Sequence, residues 1–114
     1  MDDEKDITES LKIGLERRGF IVETYNDAAK ALTSYERGDY DSVVLDIRMP
    51  GMSGFEFFRE LRKRDPAVSV IFLTAFEMYK EEFRRLFPDM SVQGFLQKPI
   101  SISTLVEQIR APGA

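Results

Sequence analysis

Carboxylates, a hydroxyl and a lysine stand where the apolar segments of this sequence end. Asp46 follows the apolar run at 43–45, Thr74 closes the run at 68–73, Lys98 follows a further candidate strand, and the acidic residues 2–4 precede the first predicted helix. Clustered carboxylates disfavour one another's ionisation, and a hard divalent cation with oxygen ligands, Mg²⁺ or Mn²⁺, relieves that repulsion. A carboxylate nucleophile, a cation, a hydroxyl and an ammonium together meet the requirements of phosphoryl transfer. Their joint placement predicts acylphosphate chemistry.

Each of these residues also has a common structural explanation when taken alone. Asp46 suits a turn, because aspartate side chains accept hydrogen bonds from nearby backbone amides. Thr74 suits the end of a strand, Lys98 suits a solvated surface, and residues 2–4 suit a helix start, where negative charge is favoured by the helix dipole. Only the set as a whole indicates a function.

The composition limits the classes of function. A chain of 114 residues with 43% hydrophobic content predicts one domain over residues 1–114. Its net charge of −4 without a basic stripe argues against direct nucleic-acid binding. Cysteine and histidine are both absent, which excludes thiolate and imidazole chemistry. No apolar run approaches the roughly 18 residues of a membrane span, so we expect no membrane insertion and a cytoplasmic location.

Strand and helix patterns alternate along the chain. Continuous or β-branched apolar runs predict strands at 20–24, 42–46, 68–73 and 92–97. Amphipathic spacing predicts helices over 4–18, from the cap Asn26-Asp27 to Gly38, over 54–65, over 75–86, and after a cap at Ser101 or Ser103. In the helix over 75–86, the spacing places Phe76, Tyr79, Phe83 and Leu86 together on the apolar side. This alternation predicts a parallel sheet wrapped by helices, with 68–73 as a central strand. The carboxyl ends of such strands meet at the edge where ligands bind.

Four segments of the chain resemble the receiver domain of two-component response regulators. They are Asp2-Asp3-Glu4, the run from Val43 to Gly54, Leu73-Thr74-Ala75, and the run from Gly94 to Pro99. The second segment is highly specific, and the match spans nearly the whole chain. The resemblance implies a flavodoxin-like, doubly wound parallel sheet with flanking helices.

The resemblance also implies roles for individual residues. Asp46 becomes the phosphoacceptor, Asp3 a direct Mg²⁺ (or Mn²⁺) ligand, Asp2 a water-mediated ligand, and the backbone carbonyl of Arg48 a third protein ligand. Arg48 and Phe76 flank the approach of water in the family, so their bulk predicts slow self-dephosphorylation.

Three further expectations follow from the resemblance. Thr74 and Lys98 bind phosphoryl oxygens, and Phe95 takes the place of the aromatic side chain that reports phosphorylation. A downstream protein target reads the surface around Phe95. A histidine kinase or phosphotransfer protein donates the phosphoryl group, since this chain has no histidine.

The sequence departs from the family at its start. Receiver domains place a strand before the acidic pair, whereas here only Met1 precedes Asp2, so the first strand is missing or truncated. Three arrangements are open: segment 20–24 pairs directly with strand 42–46, a homodimer completes the sheet, or the natural protein begins further upstream. We place the homodimer first. We also expect Asp2 and Asp3 to be held only by the start of the first helix, with the Met1 α-amino group competing for their charge.

The main rival function is a phosphorylation-independent interaction and dimerisation module that keeps the receiver shape. An enzyme, for example a carboxylate-nucleophile phosphatase, requires a second aspartate two residues after Asp46, where Arg48 stands. We therefore predict no enzyme activity beyond the domain's own phosphorylation and dephosphorylation.

Overall fold

A computed structural model describes residues 1–75 and 78–111 of the chain. Helices and strands alternate over much of this length, as predicted. In chain order they are α1 (Lys5–Glu16), α2 (Ala28–Ser34), β1 (Ser42–Asp46), α3 (Gly54–Arg64), β2 (Ser69–Thr74), α4 (Met78–Leu86), β3 (Gly94–Gln97) and α5 (Ile102–Arg110).

The three strands form one parallel sheet in the order β1-β2-β3. Strand β2 lies in the centre, as its β-branched composition predicts. The register pairs Asp46 with Leu73 and Thr74 with Gln97, so all three strands end at the same edge of the sheet. Asp46 and Thr74, two of the predicted site residues, lie at this edge, and Lys98 directly follows β3.

Helices cover both faces of the sheet, which confirms the predicted doubly wound α/β architecture. On one face, Ile71 of β2 packs in a buried cluster with Leu15 of α1 and Leu105 of α5. On the other, Phe72 packs in a larger cluster that includes Phe58 of α3. Alternate side chains of a strand point to opposite faces, so neighbouring residues of β2 reach separate cores.

The predicted strand at 20–24 is wrong. This segment is not a strand, and the side chain of Ile21 is 99% exposed. The N-terminus lies beside β1 instead: the Met1 ammonium donates to the Val44 carbonyl (2.7 Å), and the Asp46 amide donates to the Met1 carbonyl (2.9 Å). On its other side, the Asp2 amide donates to the Tyr25 carbonyl (3.2 Å).

Met1 and Asp2 therefore lie between β1 and Tyr25, with backbone hydrogen bonds to both sides. Within the described residues, no backbone hydrogen bond joins segment 20–24 to β1, so the direct pairing considered above is also wrong. A β-rich sequence favours a pleated, half-buried surface, and it forms a ladder only where a neighbouring backbone is present to pair with it.

The helix starts follow their capping residues. Asp27 accepts from the Lys30 amide at the start of α2, and Ser53 forms a capping box with Glu56 at the start of α3. Ser101 caps α5, which decides between the two predicted serines. Helix α2 ends at Ser34, four residues before the predicted stop, because Tyr35 is already extended with ψ of 128°.

Two predictions about the fourth helix have different outcomes. Its described part begins at Met78, and the predicted position of Phe76 lies outside the described residues. Leu86 was expected on the buried side of this helix but is 48% exposed, while Phe87 is buried in its place. Among the described residues, no helix is long and apolar enough to cross a bilayer.

Candidate functional site

The loop between β1 and α3 holds Asp46 at the carboxyl edge of the sheet. Asp46 is the last residue of β1 and is 7% exposed. The Gly54 amide donates to the Ile47 carbonyl at 2.8 Å, and a side chain at Gly54 would overlap the backbone carbonyl of Asp46. Gly51 has a φ of 78°, which a residue with a side chain rarely adopts. Both glycines allow α3 to start directly beside the end of β1.

The acidic loop at the N-terminus is fixed more firmly than the sequence suggests. Asp2 is 2% exposed, and its carboxylate accepts from the Glu4 amide (3.0 Å) and from the Lys98 ammonium (2.8 Å). Its backbone carbonyl accepts from the side chain of Asn26 (2.8 Å). The expectation that only the helix start holds this loop is therefore wrong. Asp3, by contrast, is exposed to solvent.

Three carboxylates meet at this edge. One oxygen each from Asp2, Asp3 and Asp46 lies within 4.8 Å of the other two. Oxygen donors with negative charge are the ligands that Mg²⁺ and Mn²⁺ prefer, so this donor set fits the predicted cation. Burial, followed by the charge of Asp2, raises the pKa of Asp46 above its usual range. A divalent cation would relieve both effects.

Lys98 lies between two of the carboxylates. Its ammonium is 2.8 Å from Asp2 and 3.3 Å from Asp46, and the peptide bond to Pro99 is cis. Burial lowers the pKa of Lys98, but the hydrogen bonds and charges of the two aspartates outweigh burial and raise its pKa overall. Lys98 thus stays charged, while the ionised form of Asp46 is less favourable than that of an aspartate in water. Among the contributions that raise the pKa of Lys98, the hydrogen bond to Asp2 is the largest.

Thr74 adjoins this cluster at the end of β2, whereas Phe95 lies on β3, three residues before Lys98. Thr74 ends β2 and is 5% exposed, and its carbonyl accepts from the Lys98 amide at 2.7 Å. The half-buried Phe95 ring stacks on Phe72 (centroids 5.2 Å apart) and meets Phe83 of α4 edge-on (5.3 Å). The structure thus brings Asp2, Asp3, Asp46 and Lys98 together, with Thr74 adjoining through the backbone of Lys98.

Comparison with known proteins identifies the family. The family model described as "Response regulator receiver domain" matches residues 1–110. The chain belongs to this family. The receiver fold predicted from the sequence is confirmed, and so is its role in two-component signalling.

Two curated relatives show the extent of the receiver. The uncharacterized transcriptional regulatory protein YkoG of Bacillus subtilis is 34% identical over 111 residues, covering 97% of this chain and 48% of that protein. The response regulator MprA of Mycobacterium leprae matches with the same identity and the same shares. The chain thus spans about half the length of these relatives. Because YkoG is named a transcriptional regulator, the expectation of no direct nucleic-acid binding concerns these 114 residues and not longer proteins of that kind.

Solved receiver structures agree with the fold. The response regulator protein TrrA of Thermotoga maritima, in complex with Mg²⁺ and BeF, is 33% identical with a TM-score of 0.82, covering 96% of this chain and 91% of that one. The chemotaxis protein CheY4 of Vibrio cholerae is 27% identical with the same TM-score and the same shares. Divalent metal use is therefore supported for this family of receivers.

Two side chains that support the site, Asn26 and Thr8, were not predicted from the sequence. Asn26 was considered only as a helix cap, yet its amide contacts the acidic loop, and the cap is Asp27. Thr8 was not considered, although it is 3% exposed and accepts a hydrogen bond from Asn26. The available signal was the position of Asn26 at the carboxyl end of an apolar segment, the same placement that drew attention to Asp46 and Thr74.

Proposed function

We propose that Asp46 of this receiver domain accepts a phosphoryl group in the presence of Mg²⁺ or Mn²⁺. The observation that carries the proposal is the position of Lys98 between Asp2 and Asp46, beside three carboxylates within 4.8 Å. The TrrA relative, which is in complex with Mg²⁺ and BeF, supports the same chemistry. Asp2, Asp3, Asp46 and the backbone carbonyl of Arg48 would hold the cation, which supplies positive charge to the transferring oxygens.

In this proposal a carboxylate oxygen of Asp46 attacks the phosphorus of a phosphohistidine on a histidine kinase or phosphotransfer protein. The new bond is an acylphosphate O–P bond, and the P–N bond to the donor imidazole breaks. The imidazole leaves with the bonding electrons and takes a proton. The chain acts as a phosphoacceptor and not as an enzyme on a separate substrate, although it supplies the groups that assist its own phosphorylation and dephosphorylation.

Lys98 and Thr74 have separate tasks in this step. The Lys98 ammonium favours the ionised, nucleophilic form of Asp46 before transfer, because it opposes the effect of burial on the pKa of that carboxyl. After transfer it neutralises a phosphoryl oxygen, and the Thr74 hydroxyl donates to another. Fixed donors of this kind are effective because they need no reorganisation when charge moves.

The conformational response follows from the negative charge that phosphorylation would add to Asp46. Phosphorylation adds about −1.5 to −2 charge units at neutral pH. This charge appears beside the end of β2, and β2 pairs Phe72 directly with Phe95 of β3. We infer that Thr74 and the loop after it move toward the phosphoryl group and that Phe95 changes its packing. A downstream protein then binds the surface formed by α4, β3 and α5.

The test is phosphorylation in solution. The chain is incubated with acetyl phosphate and Mg²⁺, and intact-mass spectrometry measures addition of one phosphoryl group. Asp46→Asn serves as the control and should gain none. Beryllofluoride with Mg²⁺ should shift the NMR signals of Thr74 and Phe95 in the parent chain. An unmodified parent chain with an unchanged spectrum would refute the proposal.

A second candidate function rests on the incomplete edge of the sheet. In the part of the chain that the structure describes, Met1 alone pairs with β1 on the side away from β2, Val43 and Val44 are partly exposed, and Ile21 is 99% exposed. An open edge with apolar flanks favours pairing with a second chain. A homodimer that needs no phosphorylation would appear in sedimentation velocity at micromolar concentration and would be unchanged by beryllofluoride. A monomer that melts cooperatively would exclude it.

A further inference from the structure

We propose that Asn26 is a positioning residue for the cation site, acting through the backbone of the acidic loop. Its side-chain nitrogen is 2.8 Å from the Asp2 carbonyl oxygen and 2.9 Å from the Thr8 hydroxyl oxygen. The inference rests on the proposed function, because the loop it positions holds two of the three carboxylates.

The contact with Asp2 fixes the direction of Asp3. The carbonyl of Asp2 belongs to the peptide unit that joins Asp2 to Asp3, and a peptide unit is planar. A hydrogen bond to this oxygen therefore restricts the backbone that leads into Asp3. The Asp3 side chain is exposed, so the surrounding protein does little to orient it, and its position depends on that peptide unit.

Asn26 links three parts of the chain. Its amide group has two N–H donors, which allows one bond to the acidic loop and one to α1. The Thr8 hydroxyl accepts the second bond and donates its own proton to the Lys5 carbonyl at 3.0 Å. The acidic loop is thereby tied to the first turn of α1 as well as to the segment that carries Asn26. Only the nitrogen of the Asn26 amide can face the Asp2 carbonyl, since two acceptor oxygens cannot bond to each other.

The two sides of the acidic loop are held differently. On the β1 side, Met1 makes two backbone hydrogen bonds, at 2.7 and 2.9 Å. On the other side, the backbone contact between Asp2 and Tyr25 is 3.2 Å long, and the Asn26 bond is the shorter one. Loss of Asn26 should therefore loosen the loop on that side while β1 and Asp46 stay in place.

The adjacent residue provides a matched control. Asp27 accepts from the Lys30 amide and caps α2, and within the described residues its side chain makes no hydrogen bond to the acidic loop. Asp27→Ala should lower the melting temperature through loss of a helix cap, without a change in cation affinity. Asn26 and Asp27 thus separate a local stability effect from an effect on the cation site.

The experiment measures Mn²⁺ binding to the full chain by electron paramagnetic resonance of the free ion, alongside thermal melting. Asn26→Ala should weaken Mn²⁺ binding about tenfold, the lower end of what loss of a residue that orients metal ligands costs. Asn26→Leu, which has a similar size but cannot donate a hydrogen bond and adds no charge, should weaken binding as much as Asn26→Ala. Thr8→Val should weaken binding less, and adding it to Asn26→Ala should cause little further loss, because Thr8 acts through Asn26.

The outcomes separate this inference from the proposed function. If Asn26→Ala binds Mn²⁺ as tightly as the parent chain, or if Asp27→Ala loses as much affinity, the positioning role is refuted while phosphorylation of Asp46 can still stand. If the parent chain binds no Mn²⁺ and acetyl phosphate does not modify Asp46, the proposed function fails and this inference fails with it.

Discussion

Replacing Lys98 by methionine should destabilise the metal-free chain far more than the same replacement at an exposed lysine. The Lys98 ammonium lies 2.8 Å from Asp2 and 3.3 Å from Asp46, and the three side chains are 20%, 3% and 10% exposed. At an effective dielectric constant of about 20, each contact has a gross Coulomb energy of about 5–6 kcal/mol. Desolvation of the three charges cancels much of this energy.

The net loss follows from what remains after the substitution. Asp2 and Asp46 would stay within 4.8 Å of each other without the lysine, and their repulsion at the same dielectric constant is about 3 kcal/mol or more. Removing one partner of a buried pair costs about 3–5 kcal/mol. Because Lys98 is partly exposed, we expect a loss of about 3 kcal/mol in the free energy of unfolding at pH 7.

Lys63→Met is the control. Lys63 contacts Glu60 at 3.2 Å, but the two side chains are 66% and 38% exposed. An exposed ion pair contributes about 0–1 kcal/mol, so this variant should unfold almost as the parent does.

Urea denaturation followed by circular dichroism, in buffer with a chelator, measures both variants. With a urea dependence of about 1–3 kcal/mol per molar, the midpoint for Lys98→Met should fall by about 1–3 M. Added Mg²⁺ should narrow its difference from the parent, because the cation then neutralises carboxylates that no ammonium contacts. Equal and small losses for Lys98→Met and Lys63→Met would show that Lys98 does not hold the acidic site together.

Three further predictions concern residues around the site and below it. Asp65→Ala should cost about 1–3 kcal/mol in urea denaturation, since the Tyr35 hydroxyl (2.8 Å) loses its buried acceptor. Burial raises the pKa of Asp65, but its hydrogen bonds, led by the one from Tyr35, lower this pKa overall. The stability that ionised Asp65 contributes is therefore present above the unfolded pKa of about 3.9 and is lost as the pH falls through the folded pKa. Acid titration of the melting temperature, compared with that of Asp65→Asn, checks this pH dependence. Arg48→Asn should shorten the acylphosphate lifetime, and a parent lifetime of only seconds would contradict slow self-dephosphorylation. Gly54→Ala should cost about 1–3 kcal/mol and slow phosphorylation by acetyl phosphate, because its new side chain overlaps the carbonyl of Asp46.

The sequence predicts the parts of this fold that depend on local chemistry. Continuous apolar residues identify β1 and β2, and side-chain caps identify the starts of α2 and α5. The prediction fails at residues 20–24, because a strand needs a neighbouring backbone to pair with and no backbone hydrogen bond joins this segment to a strand within the described residues. It also fails at Leu86 and Phe87, where the end of the helix decides which side chain is buried.

The candidate site shows the same division. Asp46, Thr74 and Lys98 could be found because each ends an apolar segment, and parallel strands bring such ends together. The same placement marks Asn26 as a candidate but does not reveal its role, since its partner is a backbone carbonyl 24 positions away and any residue type supplies that atom. Spacing in the sequence predicts which side chains converge, whereas the contacts that hold them depend on the fold.

Under the proposed function, Lys98 would couple the site to the surface around Phe95. Its ammonium contacts Asp2 and Asp46, so a phosphoryl group on Asp46 would compete for a contact that already exists. Lys98 follows β3 directly, and its amide is bonded to the Thr74 carbonyl at 2.7 Å. A move of the ammonium from a carboxylate to a phosphoryl oxygen would act on the end of the β2–β3 ladder, two residues beyond the pair Phe72 and Phe95. If this coupling holds, Lys98→Met should still accept phosphate from acetyl phosphate at a reduced rate but should lose the NMR shift at Phe95; a full shift in the variant would place the coupling in Thr74 alone.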